Sequence, residues 1–242
     1  MDVIDLRDFY ATGLGRIARR LIRRRLRQLW PDVRGERVLG LGYATPYLQP
    51  LRDQAERCLA LMPAAQGVLH WPDGKRGLVA LAEDTELPLP DLSMDRVILV
   101  HALEFSGQTR PLLRELWRVM SDRGRLLIVA PNRRGLWARF DNTPFGQGHP
   151  YTARQLQTLL RDSMFTPLRT AAALYGLPIG PAMALSIARA WEGMAEPWMD
   201  GVAGVVMVEA AKQIYAADVM PTRRARRQYA PVPGSTMGRS PG

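Results

Sequence analysis

At 242 residues, 47% of them hydrophobic, the chain is long enough to bury a full core, and one main domain with decorations suits that length better than two complete domains. A single cysteine, Cys58, excludes an intramolecular disulfide framework and a multi-cysteine zinc site, while a net charge of +10 favours anionic partners without saying which. No stretch has the order of a signal peptide or the uncharged length of a membrane span, so a cytoplasmic protein is expected.

The N-terminal run RIARRLIRRRLRQLW sets Leu14, Ile17, Leu21, Ile22, Leu26 and Leu29 at helical spacing. Its opposite face carries Arg16, Arg19, Arg20, Arg23, Arg24 and Arg27, so residues 1–35 are expected to form an amphipathic basic helix. The apolar face needs a partner. Docking on the main domain leaves the arginines solvated; contact with a membrane surface or nucleic acid is the alternative.

From residue 38, short apolar runs alternate with helical segments, the pattern of a parallel sheet covered on both faces. Strands are predicted at RVLGLG, RCLALM, LVALAE, RVILVH and RLLIVAP. TPYLQPLRDQA follows the first as a helix, and TRPLLRELWRVM follows the fourth with Leu112, Leu113, Leu116 and Val119 on one face. Next come a helix at YTARQLQTLLRDSM with Thr152 as N-cap, a strand at FTPLRTAAALYG, an inserted helix and loop at PIGPAMALSIARAWEGMAEPW, and a last strand at GVVMVEAAKQIYA. An antiparallel pair would complete the sheet. The main domain is expected over 36–217, with 218–242 a disordered basic, proline-rich tail.

The stretch EDTELPLPDLSMDRVILVHALE, residues 83–104, resembles class I S-adenosylmethionine-dependent methyltransferases of the type 11 group. It has their acidic end of the third strand, Leu-Pro-x-Pro-Asp loop, Ser-x-Asp step, and fourth strand ending in His and a Leu-Glu pair. LLRELWRVMSDRGRLLIVAPN resembles the following helix, glycine turn and fifth strand. The resemblance implies an α/β fold with a doubly wound, mostly parallel seven-stranded Rossmann-like sheet. It also implies S-adenosyl-L-methionine as cofactor and methyl transfer to a small acceptor.

Carried over by position, the cofactor-binding residues would be Gly40, Gly42, Tyr43, Ala44, Met62, Glu83, Asp84 and His101. A glycine turn suits the amino acid end because side chains would block the backbone's approach. Gly40 stands where the family has an acid, and Met62 where a carboxylate holds the ribose hydroxyls. Losing that acceptor costs on the order of 1.5 to 3 kcal/mol, about tenfold to a hundredfold in affinity. Glu83 and Asp84 stand at the adenine end, where cofactor contact is preferred over a merely solvated acidic pair. His101 either touches ligand or makes a structural hydrogen bond, and Glu104 is expected to stabilise the start of the next helix.

PNRRGLWARFDNTPFGQGHPYTARQL follows the fifth strand, at the sheet edge where ligands bind in open α/β folds. Its Asn132, Arg133, Trp137 and Arg139 are candidates for an anionic or aromatic acceptor. His149 is the first candidate base and His101 the second. The alternative is that Trp137, Phe140 and Phe145 plug the crevice. His70 has no evident partner and is read as structural, and no metal-ligand spacing is present. The expected function is an active methyltransferase; the alternative is a methyltransferase-like binding or regulatory protein with a possible protein partner. A crevice filled by the protein's own side chains favours the second. Nucleic-acid methylation lacks its Asn-Pro-Pro-aromatic signature and its catalytic cysteine.

Overall fold

The computed structural model describes residues 1–176, 178 and 202–214. Seven strands form one sheet in the order β3-β2-β1-β4-β5-β7-β6. They are β1 (Arg37–Gly42), β2 (Arg57–Pro63), β3 (Val79–Ala82), β4 (Met94–Val100), β5 (Met120–Pro131), β6 (Phe165–Ala173) and β7 (Val205–Lys212). All neighbours run parallel except β7, which is antiparallel to both β5 and β6. This is the expected doubly wound, mostly parallel sheet with its antiparallel finish. Most of the segment read as an inserted helix, and the whole of the tail, lie outside the described residues.

Crossover helices α3 (Thr45–Arg52) and α4 (Thr109–Val119) fall where periodicity places them, and α5 (Ala153–Asp162) starts at Thr152 with a capping box closed by Gln155. The central strands read as continuous apolar runs because two core clusters press on the sheet, one containing Val38, Ile98 and Leu127, the other Leu39, Val97 and Leu126. The Leu-Pro-x-Pro-Asp loop is tied to α4: Arg118 donates to the carbonyls of Leu87 and Leu89 and to Asp91.

The N-terminal region differs from the single expected helix. It forms α1 (Val3–Ala11) and α2 (Gly13–Leu29), hinged at Thr12, whose hydroxyl accepts the Gly15 N–H. Gly15 permits the corner, since a Cβ there would lie 2.1 Å from the Phe9 carbonyl oxygen. Ile17, Ile22, Leu26 and Leu29 on α2 are buried in the protein's own core. The apolar face is therefore packed on the protein's own core, as the docking expectation has it.

At the opposite end of the sheet, Asp95 accepts from the Arg37 backbone and guanidinium and from the Ser121 hydroxyl, joining β1, β4 and β5. These donors, the guanidinium foremost, hold its carboxyl at about 2, against an ordinary 3.8. A depressed folded value means the stabilisation is full above the ordinary value and fades as pH falls through about 2. Allowing for partial exposure, Asp95→Asn should cost about 1–2 kcal/mol near neutrality, with the difference from wild type shrinking toward pH ~2 in urea titrations.

Candidate cofactor crevice

The crevice of an open α/β sheet lies beyond the carboxyl ends of its strands, here over β1 between β2 and β4. β1 ends in Gly42, whose φ is +82°, and a Cβ there would lie 2.3 Å from the Val100 carbonyl oxygen. Gly42→Ala should therefore cost more than ~1 kcal/mol, read as a lowered urea midpoint. Gly40 does not face the crevice: a Cβ on it would meet Leu48 Cδ1 at 2.6 Å and Ala44 Cβ at 2.7 Å. The space an acidic side chain would enter there is taken by α3 packing onto β1.

Over the glycine turn sits Tyr10 of α1. Its ring stacks on Tyr43 with centroids 5.6 Å apart, and its hydroxyl lies 2.7 Å from that of Tyr47 and 2.8 Å from His101 Nε2. His101 Nδ1 lies 3.1 Å from Glu104 Oε1, and both side chains are 1% exposed. With the carboxylate accepting from Nδ1–H, Nε2 accepts the Tyr10 O–H, and the Tyr10 oxygen accepts from Tyr47. Burial pushes the phenol of Tyr10 well above its ordinary value, and that of Tyr47 upward too, so both stay protonated donors. Among the described residues, the buried Glu104 Oε2 has no hydrogen-bond partner.

This network corrects several expectations. Both ring nitrogens of His101 are committed inside the protein, so it is not available as a base. Glu104 holds His101 rather than the start of α4. His101 also adopts a left-handed φ of 51°, a conformation costing a non-glycine residue about 1–3 kcal/mol. From the loop after β2, the Gln66 side chain donates to the His101 carbonyl at 2.5 Å. Because β1 lies between β2 and β4, that bond crosses the crevice. Met62 is buried in the core, where its sulfur accepts weakly from the Leu69 N–H at 3.4 Å, and cannot serve a ribose.

The loop after β5 closes the remaining side. Trp137 donates from Nε1 to the Gly176 carbonyl and meets Phe145 edge-on, and Phe145 packs against His101 and Phe9. Trp137 is thus a plug, not a substrate platform. Asn132 is buried, its amide donating to the Ala203 carbonyl, and is equally structural. Arg139 is exposed on a 3-10 turn. Arg133 and His149 lie on the outer side of the same loop, away from the buried His101. His70 is exposed beside the Lys75 carbonyl.

Among the described residues, part of the crevice is open. A cavity of about 260 Å³ is lined by Met1, Pro63, Ala64, Glu83, Asp84 and Phe105. Asp84 accepts from Ser106, while Glu83 is exposed at the mouth. Among the described residues, no cluster of side chains could hold a metal ion and no helix is long and apolar enough to cross a membrane. Burial pushes the Cys58 thiol up to about 12, which removes it as a nucleophile at neutral pH.

The sheet order and its antiparallel finish define the class I S-adenosylmethionine-dependent methyltransferase fold. Residues 38–128 match the model of a methyltransferase domain. A methyltransferase of Thermotoga maritima is similar in structure, with TM-score 0.61 and 16% identity over 87% of this chain and 96% of that one. One from Archaeoglobus fulgidus has TM-score 0.57 and 18% identity over 80% and 94%. The [4+2]-cyclase SpnF is also similar, with TM-score 0.53 and 20% identity over 80% of each chain. No curated protein matches the sequence.

S-adenosylmethionine is the cofactor this domain family and fold imply. Among the described residues, the crevice does not fit it whole. Tyr10 and Tyr43 fill the space over the glycine turn, Gln66 bridges the space beside it, and the open cavity is smaller than the about 300–1,000 Å³ of ordinary small-molecule pockets. Of the residues carried over by position as cofactor-binding, Glu83 and Asp84 line the open cavity.

Proposed function

We propose that the chain acts as a methyltransferase-like binding or regulatory protein whose cofactor crevice is held shut by its own N-terminal helix. The observation that carries this reading is the Tyr10 ring, stacked over the glycine turn and hydrogen-bonded to Tyr47 and His101. The absence of acids at Gly40 and Met62 supports it, because a displaced Tyr10 would still leave the ribose without its charged acceptor. Calorimetry of the full chain with S-adenosylmethionine and S-adenosylhomocysteine should give no saturable heat at about millimolar ligand. Saturation in the micromolar range, about −8 kcal/mol, would overturn it.

The second reading is S-adenosylmethionine-dependent methyl transfer to a small acceptor, favoured by the match over 38–128 and by the Glu83–Asp84 opening. It requires α1 to leave the crevice, after which the main chain of Gly42, Tyr43 and Ala44 would face the amino acid end. Trp137 and Phe145 would also have to move before His149 and Arg133 could serve as the acceptor-side residues. In either reading the cytoplasm is the proposed location, on the single buried thiol of Cys58.

A further inference from the structure

Outside the closed crevice, a second cavity of about 400 Å³ lies between the first turn of α4 and the segment that leads into α5. Local pairing builds it. Tyr151 runs beside the end of β5, donating its N–H to the Pro131 carbonyl and accepting from the Arg133 N–H, while the His149 N–H is pinned to the Glu104 carbonyl. His149 and Tyr151, two apart on a pinned extended segment, line the same cavity, together with Arg133 from the β5 loop and Thr109 and Arg110 from α4.

The chemistry of this lining is one-sided. No carboxylate is among the lining residues, and Asp162 lies 3.7 Å from Arg110 Nη2. Among the described residues, Arg133 uses only Nε, on the Pro150 carbonyl at 3.2 Å. Among the described residues, the His149 imidazole and the Tyr151 and Thr109 hydroxyls make no side-chain hydrogen bond. Two guanidiniums, an imidazole and two hydroxyls therefore present more donor groups than the two oxygens of a carboxylate can accept. The three terminal oxygens of a phosphate monoester use them better, and forked guanidinium pairing suits that anion.

We propose that this groove is a binding site for a small phosphorylated molecule, its phosphate held by Arg110 and Arg133 with His149 and Tyr151 beside it. The site holds whether or not the crevice admits S-adenosylmethionine, so it goes beyond the functional reading above. The test is calorimetric titration of the full chain with inorganic phosphate at fixed ionic strength, with acetate as the carboxylate probe. One saturable phosphate site is expected, weakened about tenfold to a hundredfold by Arg110→Gln with Arg133→Gln. Arg20→Gln with Arg27→Gln removes the same charge from the exposed face of α2 and should leave it unchanged. Three results would overturn the proposal: no saturable phosphate binding; equal weakening by the α2 pair, since affinity would then follow net charge; or acetate binding as tightly as phosphate.

Discussion

Replacing Tyr10 with alanine should destabilise the protein by about 3–5 kcal/mol and at the same time open the space over the glycine turn. The ring is buried against Tyr43, Tyr47, Phe9 and His101, and its hydroxyl is the bond that joins Tyr47 to the His101–Glu104 pair. Truncation removes the packing and leaves His101 Nε2 and the Tyr47 hydroxyl facing the cavity it creates. Tyr10→Phe separates the two effects: the ring stays, the hydroxyl goes, and the loss should be about 1–3 kcal/mol with the crevice still closed. Urea titrations read the stabilities, and calorimetry with S-adenosylhomocysteine reads the crevice. Binding by the alanine variant alone identifies α1 as the closure. Binding by neither variant places the obstacle deeper, in the missing acids and the Gln66 bridge. A Tyr10→Ala variant as stable as wild type would sink the account of the plug.

The sheet was legible because strands buried on both faces leave uninterrupted apolar runs, as in Val97, Ile98, Leu99 and Val100, and because their crossovers carry clear helical periodicity. Thr152 and Gln155 form a local signal three residues apart, so the start of α5 could be read directly. The plug could not. Tyr10 meets partners 37 and 91 residues away, and nothing in DFYATG marks it as more than an aromatic on a short helix. The same holds at Gly40, where the sequence reveals a missing acid but not that Leu48 has taken its space. His149 and Arg133 were visible as polar residues in a loop at the sheet edge. Their separation from His101 was not, because it depends on Trp137 and Phe145 turning inward and dividing the loop into a buried and an open side. The SpnF likeness makes the same point at the level of the fold, since a sheet of this kind supports a cyclase by name as well as methyltransferases.

The other large loss is expected far from the crevice, at Glu209. This β7 residue is 2% exposed and paired across the sheet with Arg169 of β6. Its Oε1 accepts the indole N–H of Trp30 at 2.9 Å, and its Oε2 accepts from Arg169 Nε at 2.6 Å. Arg169 in turn donates to the Leu29 carbonyl, so one carboxylate joins the end of α2 to the antiparallel finish of the sheet. Glu209→Ala removes the acceptor of a buried indole N–H and leaves the half-exposed Arg169 without its anion; the expected cost is about 3–5 kcal/mol. Glu209→Gln keeps an acceptor for Trp30 and should cost less, about 1–2 kcal/mol. Combining Glu209→Ala with Arg169→Ala should recover ~0.5–3 kcal/mol of the summed single losses, because the two changes break one shared pair. The loss should also be local: α2 is rich in arginine, and with its end released trypsin should cut there sooner than in wild type. If Glu209→Ala shifts stability by no more than ~0.5 kcal/mol, ordinary for a surface change, the helix is held by its apolar face alone and the carboxylate is incidental.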